Sequence, residues 1–329
     1  MRPIRRILVA VKDPRAKHFP AVIKAAQLAR ALDAELEIFH AIDDPLCVDL
    51  LQMGDLSLKQ SERVGLTRYR AQLEALAGPL RESGLTVSTA AEWDHPAHES
   101  IVRRAVRSGA DLIVVERHAK RHVAPWLLRF TDWELLRLAP VPVLLVKSPG
   151  SYRRPKIVAA VDPSHAFDKP AKLDVEILRL AALASKALNG SVHAVHAYVP
   201  SLIGMSQKEL SAPDATARIR SRAARHARAD LLRLLRKAAV KPAGRHLIAS
   251  HAADAIPDIA RKLDCSILVM GALSRSGLRR LFIGNTAERV ADAIACDLLI
   301  VKPQGFRNRI ARARRGPNLI TLTALPQAI

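Results

Sequence analysis

The chain has 329 residues, 49% of them hydrophobic and 4% aromatic, and a formal net charge of +21. Such a length suits two domains of about 150 residues better than one core, and Ala, Leu, Val and Ile must build those cores, as in packed α/β layers. Three cysteines, Cys47, Cys265 and Cys296, exclude a disulfide framework, and no apolar run approaches the ~20 residues of a membrane helix.

In chain order, residues 7–11 read as an apolar strand ended by Lys12-Asp13-Pro14. That run is too short for a signal-peptide core, and unpaired thiols suit a reducing compartment. The expectation is a cytoplasmic protein with no transmembrane segment. Residues 20–32 carry apolar positions near a 3.6 period and predict a helix. Residues 35–42 alternate as a strand. A charged amphipathic helix over 60–82 follows, then a third strand over 85–91, a helix over 96–107 and a strand over 112–115. Residues 116–129 read as a basic loop without glycine, and Thr131-Asp132 as the cap of a helix reaching 138. Residues 143–146 are the fifth strand.

Residues 147–155, KSPGSYRRP, read as a linker. The series then restarts. A strand over 157–161 ends in Asp162-Pro163-Ser164, a helix covers 174–188 and a strand 192–199. A long basic helix over 209–239, a strand over 247–250 and a helix over 255–263 follow. Residues 267–270 form an apolar strand stopped by Gly271. A loop with Ser274, Arg275, Ser276, Gly277, Arg279 and Arg280 leads to Gly284-Asn285-Thr286, which opens a helix. Residues 298–301 close the unit. A shift of 149 residues carries Asp13-Pro14 onto Asp162-Pro163, and one of 155 carries Val146-Lys147 onto Val301-Lys302. A β-α-β series repeated over such a distance means duplicated domains, not a solenoid.

Strands alternating with helices predict two α/β domains with mainly parallel sheets covered on both faces. Ligands of such sheets bind beyond the carboxyl ends of the strands. In the second half those ends carry Asp162, Ala197 and Gly271. Strand, glycine loop and helix N-terminus form a layout that holds phosphate on backbone N–H groups.

The segments IVAAVDPS, the His196-Ala197 step, and LVMG, GNTAERV and CDLLIVKP resemble the universal stress protein family. The resemblance covers about 5–147 and 155–303 and extends to FTDWELLRLAPVPVLLVK in the first half, which is similar to the tandem two-domain members. It implies two tandem domains, each with a five-stranded, mainly parallel sheet and helices on both faces. The expected boundaries are 1–149, 150–304 and a basic, flexible tail over 305–329. Nucleotide-binding members carry Gly-x2-Gly-x9-Gly followed by Ser or Thr. Counted from Gly271, the second glycine position is Ser274, the third is Gly284, and Asn285 takes the hydroxyl place. By resemblance Asp162 contacts adenine, while Met270 and the backbone near Ala197 line the base. Gly277, with Arg275, Arg279 and Arg280, supplies donors in place of the missing glycine. The implied ligand is ATP or a related adenine nucleotide with Mg²⁺, or another small phosphorylated molecule. In the first half the matched positions are Glu116, Ala119, His122, Arg129 and Phe130. No glycine remains there, and a carboxylate where phosphate approaches is unfavourable. That half is expected to have lost its hollow.

No GxSxG elbow, Walker loop or HExxH occurs, so turnover is not expected, slow ATP hydrolysis aside. His193 and His196 are three apart but face opposite sides of a strand, which argues against a metal pair. Asp94, His95 and Glu99 read as a helix cap. Two readings follow. The first is a non-enzymatic stress-response binding module, whose role by resemblance is survival under stress, including DNA damage. The second is a ligand-free pseudo-dimeric scaffold, with homodimerisation also open. It would present basic surface, from Arg218 to Lys237 and from Arg307 to Arg315, to nucleic acid, anionic membrane or protein partners.

Overall fold

The computed structural model describes residues 3–43, 46–48, 55–117, 125–164, 172–200, 215–271, 285–303, 305–306 and 310–321, with backbone alone at 46–48, 55–58, 125–131, 285 and 319–321. The chain divides into two compact units. An N-terminal unit joins Arg2–Val141 with Arg307–Ile329, and a C-terminal unit spans Pro142–Phe306.

In the N-terminal unit the order is β1 (Arg6–Ala10), α1 (Pro20–Leu32), β2 (Glu35–Ile42), β3 (Leu46–Val48), α2 (Asp55–Glu82), β4 (Val87–Trp93), α3 (Ala97–Ser108), β5 (Leu112–Glu116) and α4 (Pro125–Leu138). The strand order is β4-β2-β1-β5, and all three pairings are parallel. The continuous apolar run Leu112 to Val115 is buried along its length, as strands covered on both faces require. Helix α1 starts with Pro20 and stops at Asp33, which takes a left-handed conformation and returns its N–H to the Ala29 carbonyl.

The C-terminal unit begins with β6 (Val143–Val146) and continues through β7 (Lys156–Ala160), α5 (Leu173–Ala187), β8 (Ser191–Tyr198), α6 (Ala215–Ala238), β9 (Gly244–Ala249), α7 (Ala252–Lys262), β10 (Ile267–Gly271), α8 (Asn285–Ala293) and β11 (Asp297–Val301). Its strand order is β6-β11-β10-β7-β8-β9. Strand β6, read from sequence as the last strand of the first half, pairs antiparallel with β11, Leu145 opposite Leu298. The linker is fastened to the same strand. The buried Asp297 carboxylate accepts from the Lys147 and Ser148 amides at 2.8 and 3.0 Å and from the Tyr152 hydroxyl at 2.6 Å. At the end of α5, Gly190 is required by close approach, since a Cβ there would stand 2.2 Å from the Pro155 carbonyl oxygen.

Three expectations are corrected. Helix α4 starts at Pro125, so Thr131 and Asp132 lie inside it rather than capping it, and Pro at the first helical position suits the start. Asp94 is not a cap. Pro96 holds the N-cap place of α3 with no side-chain cap bond, and Asp94 forks onto Arg103 at 2.7 and 2.8 Å. Finally, the tail is not a free extension over its described residues 310–321. The Arg315 amide donates to Asp94 Oδ1 at 2.8 Å, the His95 amide donates to the Gly316 carbonyl, and β12 (Leu319–Thr321) pairs parallel with β3. Neither β3 nor β12 shows a sequence signal, because each is only three residues long.

Candidate functional site

Each unit reverses its strand order at one place. In the C-terminal unit the chain runs outward through β7, β8 and β9 and then returns on the other side of β7 with β10. Crevices for ligands form where neighbouring connections leave a sheet in opposite directions, here beyond the carboxyl ends of β7 and β10. The register sets Val269 beside Ala159 and Ala160 beside Val195. Asp162, Ala197, Met270 and Gly271 are therefore gathered at one end of three adjacent strands. Ser274, Gly277 and Gly284 lie outside the described residues, as do Arg275, Arg279 and Arg280. Asn285 is the first residue of α8, the cap position before it lies outside the described residues, and the Asn285 side chain is not described.

The local chemistry at this edge is polar beneath an apolar floor. The Ser164 hydroxyl donates to Asp162 Oδ1 at 2.7 Å, and the Asp162 amide donates to the buried Asp174 carboxylate at 3.3 Å. His196 is fully buried, and its Nδ1–H donates to the Val161 carbonyl at 3.3 Å. Burial holds its pKa below the usual histidine value, opposed by the nearby Asp162 charge. The ring is thus neutral, and Nε2 is left as a buried acceptor without a hydrogen-bond partner among the described residues. Met270 is buried. A Cβ on Gly271 would lie 2.7 Å from Leu173 Cδ2. That glycine therefore lets α5 pack close to the end of β10, a structural requirement in addition to any ligand.

The N-terminal unit has its own reversal, between β1 and β5. A cavity of about 370 Å³ opens there, lined by residues following β1, by His40 and Tyr69, and by Glu116, Asp132 and Leu135. The expectation that this copy has lost its hollow is therefore corrected. The ends of the strands, with Asp132 and Leu135 of α4, frame this crevice. The two floors correspond: His40 Nδ1 meets the Val11 carbonyl at 2.8 Å, as His196 meets Val161. The rims differ. Asp13, Asp43, Glu116 and Asp132 face Lys12 and Arg15 around the cavity. The Arg15 amide holds the Asp13 carboxyl below its usual range. Among the described residues of this lining, four carboxylates against two cations form a poor seat for a triphosphate. Of the other matched positions, Ala119 and His122 lie outside the described residues, and the side chains of Arg129 and Phe130 are not described. Sequence reasoning missed His40, for which the His-Ala step shared by 40–41 and 196–197 is the available signal; Tyr69, from the middle of α2, has no such signal.

Of the remaining candidates, His193 and His246 on neighbouring strands approach to 3.3 Å, while His196 faces the opposite side. Among the described residues no group of three or more His, Cys, Asp or Glu stands close enough to hold a metal ion, and no helix is long and apolar enough to cross a membrane.

Two doubly wound units, each reversing its strand order once, define a duplicated α/β protein. The profile of the universal stress protein family matches residues 3–147 and again 154–302, so the chain belongs to that family. It is 26% identical over 311 residues to universal stress protein E of Photorhabdus laumondii, covering 93% of this chain and 98% of that protein. Universal stress protein E of Escherichia coli K12 is 25% identical over 306 residues, covering 92% and 96%. Among solved structures, a protein of unknown function from Pseudomonas aeruginosa PAO1 superposes with a TM-score of 0.68 at 26% identity, covering 91% of this chain and 93% of that one. A universal stress protein from Archaeoglobus fulgidus shares the fold, with a TM-score of 0.55 at 13% identity over 92% and 97% of the chains.

Proposed function

We propose that this chain is a non-enzymatic stress-response protein that binds an adenine nucleotide or another small phosphorylated ligand in its C-terminal unit. The single supporting observation is the convergence of Asp162 and Gly271 at the reversal between β7 and β10. Asp162 offers a carboxylate to an adenine amino group, and the loop after Gly271 leads to the N-terminus of α8, where free N–H groups attract phosphate. Ser274, Gly277, Gly284 and Asn285 would complete the seat, with Mg²⁺ accompanying a triphosphate. Binding would be read out as a change in conformation or partner choice rather than as a product, in service of survival under stress, including DNA damage, in the cytoplasm. Titration calorimetry with ATP and Mg²⁺ tests this reading. Saturable heat at one site supports it, and heat no greater than dilution, together with purified protein free of nucleotide, contradicts it.

One observation favours a second reading. Arg218, Arg220, Arg222, Arg225, Arg228, Arg233, Arg236 and Lys237 are all exposed along α6, while Ala227, Leu231, Leu234 and Leu235 hold its other face in the core. A solvated helix face this basic would attract a polyanion, which makes a scaffold role the alternative. The two readings part on salt dependence, since polyanion binding weakens steeply as salt rises.

A further inference from the structure

Two of the three cysteines, distant in sequence, meet in the C-terminal unit. Cys265 immediately precedes β10 and Cys296 immediately precedes β11. These strands are parallel neighbours, with Ile267 opposite Asp297, and the Asp297 amide donates to the Ser266 carbonyl at 3.1 Å. That register sets Cys296 beside Ser266, one residue from Cys265, at the amino ends of the strands and at the end of the sheet opposite the ligand crevice, and each thiol shifts the other's pKa. Both cysteines are free and part-buried. Lys147 stands over the same place, its ammonium group donating to the Ala291 and Ile294 carbonyls at the end of α8.

We infer that Cys265 and Cys296 form a peroxide-reactive dithiol that closes to an intramolecular disulfide between the amino ends of β10 and β11. The roles of the two sulfurs are unequal. The Cys296 thiol is held below its ordinary pKa, first by the hydrogen bond from Cys265 and then by the Lys147 charge, against burial and Asp297. Cys265, the donor in that bond, is pushed up by it and by burial. Lys147, whose ammonium group sits on the Ile294 carbonyl two residues before Cys296, favours the anion there, so Cys296 is assigned as the attacking thiolate and Cys265 as the resolving thiol.

In the first step the Cys296 thiolate attacks one oxygen of hydrogen peroxide. The O–O bond breaks, a sulfenic acid forms, and the hydroxide released takes up the proton the thiol had lost, leaving as water. In the second step the Cys265 sulfur attacks the Cys296 sulfur. The S–O bond breaks, the S–S bond forms, and the hydroxyl leaves with the Cys265 proton as a second water. Two thiols and one peroxide thus give one disulfide and two waters, the peroxide being the oxidant.

The full-length protein, reduced and freed of reductant, is treated with stoichiometric hydrogen peroxide, unfolded and alkylated with a maleimide. The expected result is that alkylated thiols fall from three to one, with Cys47 still labelled and a disulfide-linked peptide pair containing Cys265 and Cys296. Cys265→Ser should instead accumulate a sulfenic acid at Cys296 that dimedone captures, and Cys296→Ser should leave Cys265 reduced at the same dose. Circular dichroism checks that both variants are folded, and a Cys47→Ser protein, which keeps the pair, repeats the linkage test without the third thiol. Retention of three alkylatable thiols, linkage of either cysteine to Cys47 or to a second molecule, or a sulfenic acid at Cys265 in the Cys296→Ser protein would overturn the inference.

Discussion

Removing the Asp94 carboxylate should both destabilise the N-terminal unit and free the tail. The Asp94 side chain is 0% exposed and that of Arg103 is 2%. They share two bonds of 2.7 and 2.8 Å, and Asp94 also accepts the Arg315 amide at 2.8 Å. Asp94→Ala leaves a guanidinium buried with Glu99 as its remaining carboxylate, at 2.9 Å. Breaking a buried pair from one side costs about 3–5 kcal/mol, and the retained Glu99 contact puts this case near 3. The lost bond to the Arg315 amide is charge-assisted, worth roughly 1.5–3 kcal/mol, and that part falls on the tail. Urea unfolding followed by tryptophan fluorescence measures the first quantity. Hydrogen exchange of residues 310–318 measures the second, with an expected acceleration of about 10- to 100-fold. Replacing both partners, Asp94→Leu with Arg103→Met, should recover much of the loss, because two apolar side chains leave no unpaired buried charge. A loss below about 1 kcal/mol for Asp94→Ala, with tail exchange unchanged, would refute the reasoning.

Other predictions rest on separate features. Gly271→Val drives side-chain atoms into Leu173, already 2.7 Å from where a Cβ would sit, and should cost about 1–3 kcal/mol in urea unfolding through overpacking; an unchanged midpoint would mean that α5 is not pressed against β10. His98, His193, His196 and His246 all have pKa values lowered by burial. A histidine whose folded pKa lies below its unfolded value contributes stability that is complete above about 6.5 and lost as pH falls through the folded pKa. The urea midpoint should therefore drop between pH 7 and pH 5, with a smaller drop in His196→Asn, and a midpoint that is flat across that window would contradict this. If the exposed arginines of α6 bind nucleic acid, affinity should fall by orders of magnitude between low and physiological salt, and Arg222→Gln with Arg225→Gln should flatten the slope; absence of binding even at low salt would assign the positive charge another cause.

The alternation of apolar runs with amphipathic stretches gave most strands and helices to within a few residues, because burial on both faces of a parallel sheet demands such runs. The same logic put Asp162 and Gly271 on one edge. What escaped was long-range pairing. Nothing in KSPGSYRRP announces that Tyr152 and Ser148 will hold Asp297, or that β6 will run antiparallel beside β11. The tail looked free because its arginines carry no hydrophobic period, yet one backbone amide finds a buried carboxylate 221 residues away. The missing glycines of the first half suggested a closed site. The crevice persists because it is framed by strand ends and by α4.

Hydrogen exchange with and without ATP and Mg²⁺ addresses most directly which crevice is used. Slowed exchange confined to residues 158–164 and 268–271, with residues 9–15 and 113–117 unchanged, is the predicted pattern. Protection at the N-terminal segments alone, or at neither pair, would contradict a C-terminal anion seat.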